Sequence, residues 1–465
     1  MKNLMPRLVP CVCLAVSCLV VFNSRSQERP QLQTRLVQTH NADASPVAVP
    51  EPSSKAVSFH HSTMLLIAVI ILWSLLISVG FLFTGFSAKL RSWAERLGRR
   101  WYFSYAIYFT AFVLIYAVLL LPLAFYGGFI HLHHYDLSNQ SFARWLYCSI
   151  KGAAIVLAGG LAVGWIPFIV IKKSPRRWWL YLGLLTPIYL CFTLWIQPVL
   201  INPLFNKFTP LQDKELEAKI LAEAARAGIQ GGRVYQVNAS VDTKMENAYV
   251  TGLMGTERIV FYDTLLQNMN QNELFFVMGH EMGHYVLGHR AKKMAFRSIL
   301  ILVSLYVAYL LAGPVIGRFK NRWGFATLSD LAALPLGMLA FWLFCFVDRP
   351  IDMAFSRYRE HEADRFGLEL THENHAAATA FAKLMQGDLG VPRHGAFFTI
   401  WFDSHPCIAD RIEFCNAYRP WETAEPSKYE KYFLPAEGSG EPPFSSPQTA
   451  DVKGTNHDRV VGKIH

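Results

Sequence analysis

The stretch His280-Glu281-Met282-Gly283-His284 decides how the rest of the chain is read. It lies between Asn272-Glu273-Leu274-Phe275-Phe276-Val277-Met278-Gly279 and Tyr285-Val286-Leu287-Gly288-His289, and the whole run reads as helix. Residues four apart on a helix stand one turn apart on the same face. Two imidazoles so placed can hold one divalent ion together. Glu281 projects from the neighbouring face, where it can reach a water activated by that ion without ligating the ion. This is the H-E-x-x-H arrangement used for zinc-dependent hydrolysis of peptides. Two histidines on an amphipathic helix are, taken alone, more often structural. The rest of the chain therefore has to supply the remaining parts of a metal site.

Composition sets the surroundings. Of 465 residues, 52% are apolar, 14% aromatic and 17% charged. That is too apolar and too lightly charged for an ordinary soluble protein. The apolar residues are bunched into long runs, which predicts a mainly α, polytopic membrane protein. The net charge of +10 does not point to nucleic acid. No basic domain is present, and Lys and Arg gather at the ends of apolar runs, where they orient a chain in a bilayer. The eight cysteines form no C-x-x-C pair, so they support neither a disulfide scaffold nor a cysteine metal site.

In chain order, residues 1–26 combine two early positive charges with the apolar run Leu8 to Phe22, and read as a signal peptide or short anchor. Residues 27–60, rich in Gln, Pro, Ser, Ala and Val without periodicity, read as a disordered linker. A membrane region, 61–200, holds four apolar segments near 63–86, 102–126, 146–171 and 179–200. Each is long enough to cross a bilayer core, which takes about 20 helical residues. Lys151 falls near the start of the third, placed to snorkel or to face a polar interior. The cluster His131, His133 and His134 reads as an interfacial loop, since nothing gives it ligand geometry.

From residue 201 the character changes. Gln212 to Gly228 reads as a charged amphipathic helix, and Gly232 to Asn238, Ala248 to Leu253 and Glu257 to Tyr262 as short strands. A soluble α+β half, 201–297, thus carries His280. Two spans, near 298–317 and 331–348, form a hairpin over 298–348. A second polar half, 349–436, opens with a charged helix over Arg349 to Leu370, and a Gly-, Ser- and Pro-rich tail, 437–465, reads as disordered. A two-span hairpin returns the chain to the side it left. The two polar halves can therefore meet and build one zincin-like site at the membrane.

A catalytic zinc usually has three protein ligands, so the third is expected in the second half. Ser356-Arg357-Tyr358-Arg359-Glu360-His361-Glu362-Ala363-Asp364 is the candidate stretch. Spacing alone does not choose among Glu360, His361 and Glu362. A carboxylate one turn beyond the ligand, at Asp364, could accept the outer N–H of a ligand histidine.

H-E-x-x-H followed by S-R-x-x-E-x-x-A-D resembles the integral-membrane zinc endopeptidases that process prenylated CAAX proteins, the type-I CAAX prenyl endopeptidases. The likeness extends to Pro203 through Leu211, to Asn247-Ala248-Tyr249, to Arg258 through Leu266, and to Ser404-His405-Pro406 with Arg411 shortly after. It covers roughly residues 63–420. The resemblance implies that Glu360 joins His280 and His284 on one zinc ion and that Asp364 and Arg411 stand behind them. It implies that Glu281 is the general base and that His405 stabilises the oxyanion. It also implies that Asn247, Ala248 and Tyr249 line an edge strand on which an extended substrate docks. His289 is expected to be structural or to sit behind a ligand.

The chain departs from eukaryotic members of that family. A signal-like segment replaces the first span, the first long loop is missing, and no acidic insertion precedes the zinc helix. These differences point to a bacterial relative in an inner membrane and leave prenylation of the substrate open. Charge bears on the orientation. Lys89, Arg91, Arg96, Arg99 and Arg100, then Lys172, Lys173, Arg176 and Arg177, then Arg318, Lys320 and Arg322 all fall in loops opposite the catalytic halves. The positive-inside rule puts those loops in the cytoplasm and the metal site outside. Arg290, Lys292, Lys293 and Arg297 on the catalytic side pull the other way, as does the family, which implies a cytosolic site.

The reading that follows is a membrane zinc endopeptidase acting on membrane-associated or lipidated, CAAX-type peptides. Its partners are a peptide substrate and the lipid bilayer. A quality-control protease of the heat-shock type would share the metal motif, but the four spans before residue 200 argue against it. A transporter or inactive scaffold would not need Glu281 beside a complete ligand set.

Overall fold

The computed structural model describes residues 45–229, 232–251, 258–423 and 425–434. The expected signal or anchor, the expected tail and most of the expected linker lie outside the described residues.

The membrane-facing part is built from long apolar helices. α1 (Ser54–Phe83), α2 (Phe86–Gly98), α3 (Trp101–Phe125), α4 (Phe142–Val163), α5 (Ile166–Lys173) and α6 (Trp178–Ile196) precede residue 200. Among the described residues six helical stretches are long and apolar enough to cross a membrane. Four precede the small sheet and two follow it. Their outer faces present large apolar side chains such as Leu184, Ile188, Phe192, Ile299 and Val303, as lipid contact requires. The third expected span is interrupted at Gly164, where α4 gives way to α5, whose second residue is Pro167.

The region after the first four spans opens with β1 (Phe208–Pro210) and α7 (Lys214–Arg226). Asp213 caps α7 by accepting the Leu216 N–H at 2.9 Å, and Glu215 and Glu217 in the first turn complement the helix dipole. β2 (Arg233–Val237), β3 (Ala248–Thr251) and β4 (Arg258–Tyr262) complete a four-stranded sheet ordered β1-β2-β4-β3. β2 runs parallel to β4, and β3 pairs antiparallel with β4, Tyr249 opposite Val260. β3 is therefore an edge. Leu253 and Glu257, expected to extend the strands, lie outside the described residues.

α8 (Asp263–Asn268) leads to α9 (Gln271–Val286), which carries the H-E-x-x-H residues. α10 (His289–Trp323) and α11 (Leu334–Thr371) form the hairpin, followed by α12 (Asn374–Gly387), α13 (Ala396–Trp401) and α14 (Ile408–Ala417). The apolar core of the peptidase half joins Ile220, Phe261, Leu265, Met278, Met282 and Phe366, so the sheet, α7, α9 and α11 share one interior.

Three boundaries differ from the sequence reading. The expected sixth span and the charged helix are one continuous helix, α11; charge after Arg349 ends the hydropathy signal, but the helix runs on past Pro350, which lacks an N–H and removes one bond of the ladder. The helix that carries the fifth span begins at His289, nine residues before the apolar run expected from 298. The linker does not reach residue 60, because α1 starts at Ser54, capped by the Ser53 hydroxyl. Val47 before it is held by Asn416, which accepts the Val47 N–H at 3.0 Å and donates to its carbonyl at 2.9 Å.

The basic loops gather at one end. Arg91 pairs with Asp330, and the Arg322 Nε–H donates to the Phe83 carbonyl at 3.2 Å. Lys151 reaches the Leu204 carbonyl at 2.6 Å. His131 Nε2 lies 3.0 Å from Ser62 Oγ and so ties its helix to α1, whereas His133 Nδ1, 2.8 Å from the Phe129 carbonyl one turn back, bonds within its own helical stretch.

Candidate metal centre

The start of α9 is fixed by a capping box. Asn270 accepts the Glu273 N–H at 3.0 Å, and Glu273 accepts the Asn270 N–H at 2.7 Å. Glu273 is itself held by Lys383 at 2.7 Å and Thr379 at 2.9 Å. This end of the helix is thereby tied to α12. Gly279 and Gly283 leave α9 smooth where α11 crosses it, so the two backbones approach closely. A Cβ on Gly283 would meet the Phe366 side chain at 3.0 Å.

That crossing sets Glu360 opposite the two motif histidines. Glu360 Oε2 lies 3.4 Å from His280 Nε2 and 3.5 Å from His284 Nε2. One ligand-type atom from each of the three residues falls within 4.8 Å of the others. Glu360 is 5% exposed, and its Oε2 has no hydrogen-bond partner of good geometry. A buried carboxylate oxygen without a well-formed hydrogen bond is costly unless positive charge balances it, from a metal ion or from protonated imidazoles beside it. The nitrogen–nitrogen–oxygen set suits a zinc-type ion. No other cluster of this kind occurs among the described residues.

Of the three residues left open by spacing, only Glu360 faces this point. His361 points to Arg365 and the Phe414 ring. Glu362 turns the other way and accepts from Lys428 Nζ and Tyr429 OH, each at 2.9 Å. Residues two apart on a helix face nearly opposite directions.

Behind His280 stands Asp364, with Oδ1 2.8 Å from His280 Nδ1. Arg411 of α14 grips Asp364 with two N–H groups, Nε at 2.8 Å. Burial alone would depress the His280 pKa; the Asp364 and Glu360 carboxylates outweigh it and raise it to about 9. His405 also enters: its Nε2 lies 3.1 Å from Glu360 Oε2, and its Nδ1 lies 2.9 Å from Ser404 Oγ. Glu281 occupies the neighbouring face of α9, partly buried. Asn247, Ala248 and Tyr249 lie at and just before the edge strand β3, which packs beside α9. The Asn247 carbonyl accepts the Tyr262 N–H at 2.9 Å.

Of two features behind the site, the sequence anticipated a structural or supporting place for His289 without naming its partner, and it did not anticipate the frame around His405. His289 Nδ1 lies 2.8 Å from His284 Nδ1. The segment carrying Asp403, Ser404 and His405 is held by Arg357, which donates to the Thr399 and Asp403 carbonyls at 2.7 and 2.9 Å, and by His394, 2.7 Å from Asp403 Oδ2.

Known proteins share this plan. The family model described as Peptidase family M48 matches residues 210–419, and one described as CAAX prenyl protease N-terminal, five membrane helices, matches residues 38–207. The chain is 35% identical over 374 residues to the uncharacterized metalloprotease YhfN of Bacillus subtilis (strain 168), covering 80% of this chain and 87% of that one. It is 30% identical over 324 residues to the CAAX prenyl protease 1 homolog of Dictyostelium discoideum, covering 68% and 74%. In fold it is similar to the crystal structure of S. mikatae Ste24p, with a TM-score of 0.70 at 21% identity over 81% of this chain and 93% of that chain. The chain belongs to Peptidase family M48 and is a multi-pass integral membrane metalloendopeptidase.

Proposed function

We propose that the chain is a zinc endopeptidase that cuts lipidated, CAAX-type peptides at a bacterial inner membrane. The observation that carries the metal reading is the convergence of His280, His284 and the buried Glu360 Oε2, an oxygen with no well-formed hydrogen bond. In this reading residues 201–297 and 349–436 form one peptidase unit around the hairpin 298–348, and His280, His284 and Glu360 hold one zinc ion. When bound, the ion supplies Lewis-acid activation of water and of the scissile carbonyl.

The chain's own residues do the rest. Glu281 takes a proton from the attacking water and passes it to the leaving amine. His405, oriented through Nδ1 by Ser404, donates its Nε2–H to the carbonyl oxygen as negative charge develops there. Asp364, fastened by Arg411, accepts the Nδ1–H of His280 and leaves its Nε2 lone pair for the ion. Asn247, Ala248 and Tyr249 offer the outer edge of β3 to an extended substrate, which lines up as a further strand.

Two lines support the substrate class. Relatives such as the Dictyostelium discoideum protein carry the name CAAX prenyl protease 1 homolog, and the long helices join the site to the bilayer, where a lipid anchor would reside. The gathering of basic loops at the end away from His280 favours an extracytoplasmic site.

The test is cleavage by purified protein in liposomes of a farnesylated peptide ending in a CAAX sequence and of the same peptide without lipid. The reading expects cleavage of the farnesylated form, abolished by chelator and restored by zinc. Cleavage that survives full metal removal contradicts the metal reading. Equal cleavage of both peptides contradicts the substrate class.

A further inference from the structure

His280 and His284 are supported from behind by different chemistry. His280 leans on a carboxylate, Asp364. His284 leans on another imidazole. Gly288, at φ 63°, ends α9 and turns the chain so that His289, the first residue of α10, comes back against His284. The two rings meet edge to face, 5.0 Å between centroids. His289 is 1% exposed. Its Nδ1 faces His284 Nδ1 at 2.8 Å, and its Nε2 faces Glu362 Oε2 at 3.6 Å.

Two nitrogens 2.8 Å apart can share only one proton. For His284 to offer Nε2 to a cation, its Nδ1 must carry that proton, and His289 Nδ1 must accept. His289 then carries its own proton on Nε2, the nitrogen turned toward a carboxylate. His289 Nε2 makes no hydrogen bond among the described residues, so the Glu362 charge 3.6 Å away selects the His289 tautomer electrostatically, and His289 selects that of His284. Glu362 is held by Lys428 and Tyr429 through Oε1. The backbone N–H groups of those two residues donate to Glu369, two turns along α11, at 3.1 and 2.6 Å. Tyr429 is buried against Phe366. Lys428 and Tyr429 lie beyond residues 210–419, the part matched by the peptidase family model.

We propose that His289 and Glu362, fastened by the segment carrying Lys428 and Tyr429, form a tautomer relay that positions His284, so that a stretch outside the family match completes the metal centre. The proposal rests on the reading of His284 as a metal ligand. His289, Glu362, Lys428 and Tyr429 are positioning residues and touch no substrate.

The test uses the full chain in detergent and reads two quantities: zinc affinity by competition with a chelator, and the visible absorption of the cobalt-substituted protein. His284→Ala serves as the ligand control. His289→Ala is expected to weaken zinc by about 10- to 100-fold, the range found when a partner behind a metal ligand is lost, and to shift the cobalt bands. His289→Asn restores an acceptor near the Nδ1 position and is expected to recover most of the affinity. The double variant Lys428→Met with Tyr429→Phe frees Glu362 at a distance and is expected to weaken zinc by about tenfold.

If His284→Ala binds zinc like the unmodified chain, the ligand reading itself fails. If His284→Ala loses zinc while His289→Ala keeps native affinity and native cobalt bands, only the relay is overturned. A loss in His289→Ala that Asn does not repair also overturns it, since ring packing then explains the effect. Should His289→Ala not fold, the distal double variant decides, and native zinc affinity in that variant overturns the relay.

Discussion

Gly279 and Gly367 touch where α9 crosses α11: a Cβ built on Gly279 would stand 3.1 Å from Gly367 Cα, and one built on Gly367 would stand 2.8 Å from the His280 backbone nitrogen. This contact sets the distance between the two helices that carry the ligand-type residues. Backbone cannot give way as a flexible side chain can. Gly367→Ala is therefore expected to force the helices apart, with a loss of about 1–3 kcal/mol in stability and a lower zinc content. Thermal unfolding and metal analysis of the purified variant check this. An unchanged melting temperature with full zinc would contradict it.

Asp364 is 1% exposed and depends on Arg411 for charge compensation. Arg411→Met leaves the carboxylate buried against His280 alone, and is expected to destabilise the protein by about 3–5 kcal/mol. Adding Asp364→Asn removes the stranded charge. Denaturant unfolding should show the double variant more stable than Arg411→Met, while zinc affinity stays low in both.

The raised pKa of His280, about 9 without metal, gives a pH signature. The ordinary value is 6.5. A folded-state pKa above the unfolded one stabilises the metal-free protein fully below about pH 6.5, and that contribution is lost as pH rises through about 9. Zinc must displace the same proton. Apparent zinc affinity should therefore rise with pH between these values, with proton release on binding. Calorimetry in buffers of different ionisation enthalpy measures it, and binding without proton release at neutral pH would contradict the assignment.

Orientation is tested at the basic end. Lys320 lies near the end of α10 remote from His289, where that helix begins. With an extracytoplasmic metal site, Lys320→Cys in a cysteine-free background should resist an impermeant maleimide in intact spheroplasts and react after lysis. Labelling before lysis would put the site in the cytoplasm.

Much of this plan was legible in the chain because burial in lipid demands long apolar runs, which survive any ambiguity of detail. The six spans came through for that reason. Their ends did not, because a helix can run on through charged residues, as α11 does beyond Arg349 and even past Pro350. β1 was missed because Phe208–Pro210 becomes a strand only by pairing with Tyr235 to Val237, a non-local contact. At the site, H-E-x-x-H fixed two positions on one face. Spacing left Glu360, His361 and Glu362 open, and the direction of α11 across α9 separated them. The His289 contact depends on the turn at Gly288 and on Lys428 and Tyr429, and no local pattern encodes such a meeting.

The account turns on Glu281 acting as a base beside a metal that other residues hold. The most direct measurement is zinc stoichiometry and peptide cleavage in Glu281→Gln, made side by side on one preparation. The account predicts that cleavage disappears while zinc stays near one per chain. Cleavage retained at the native rate would contradict it.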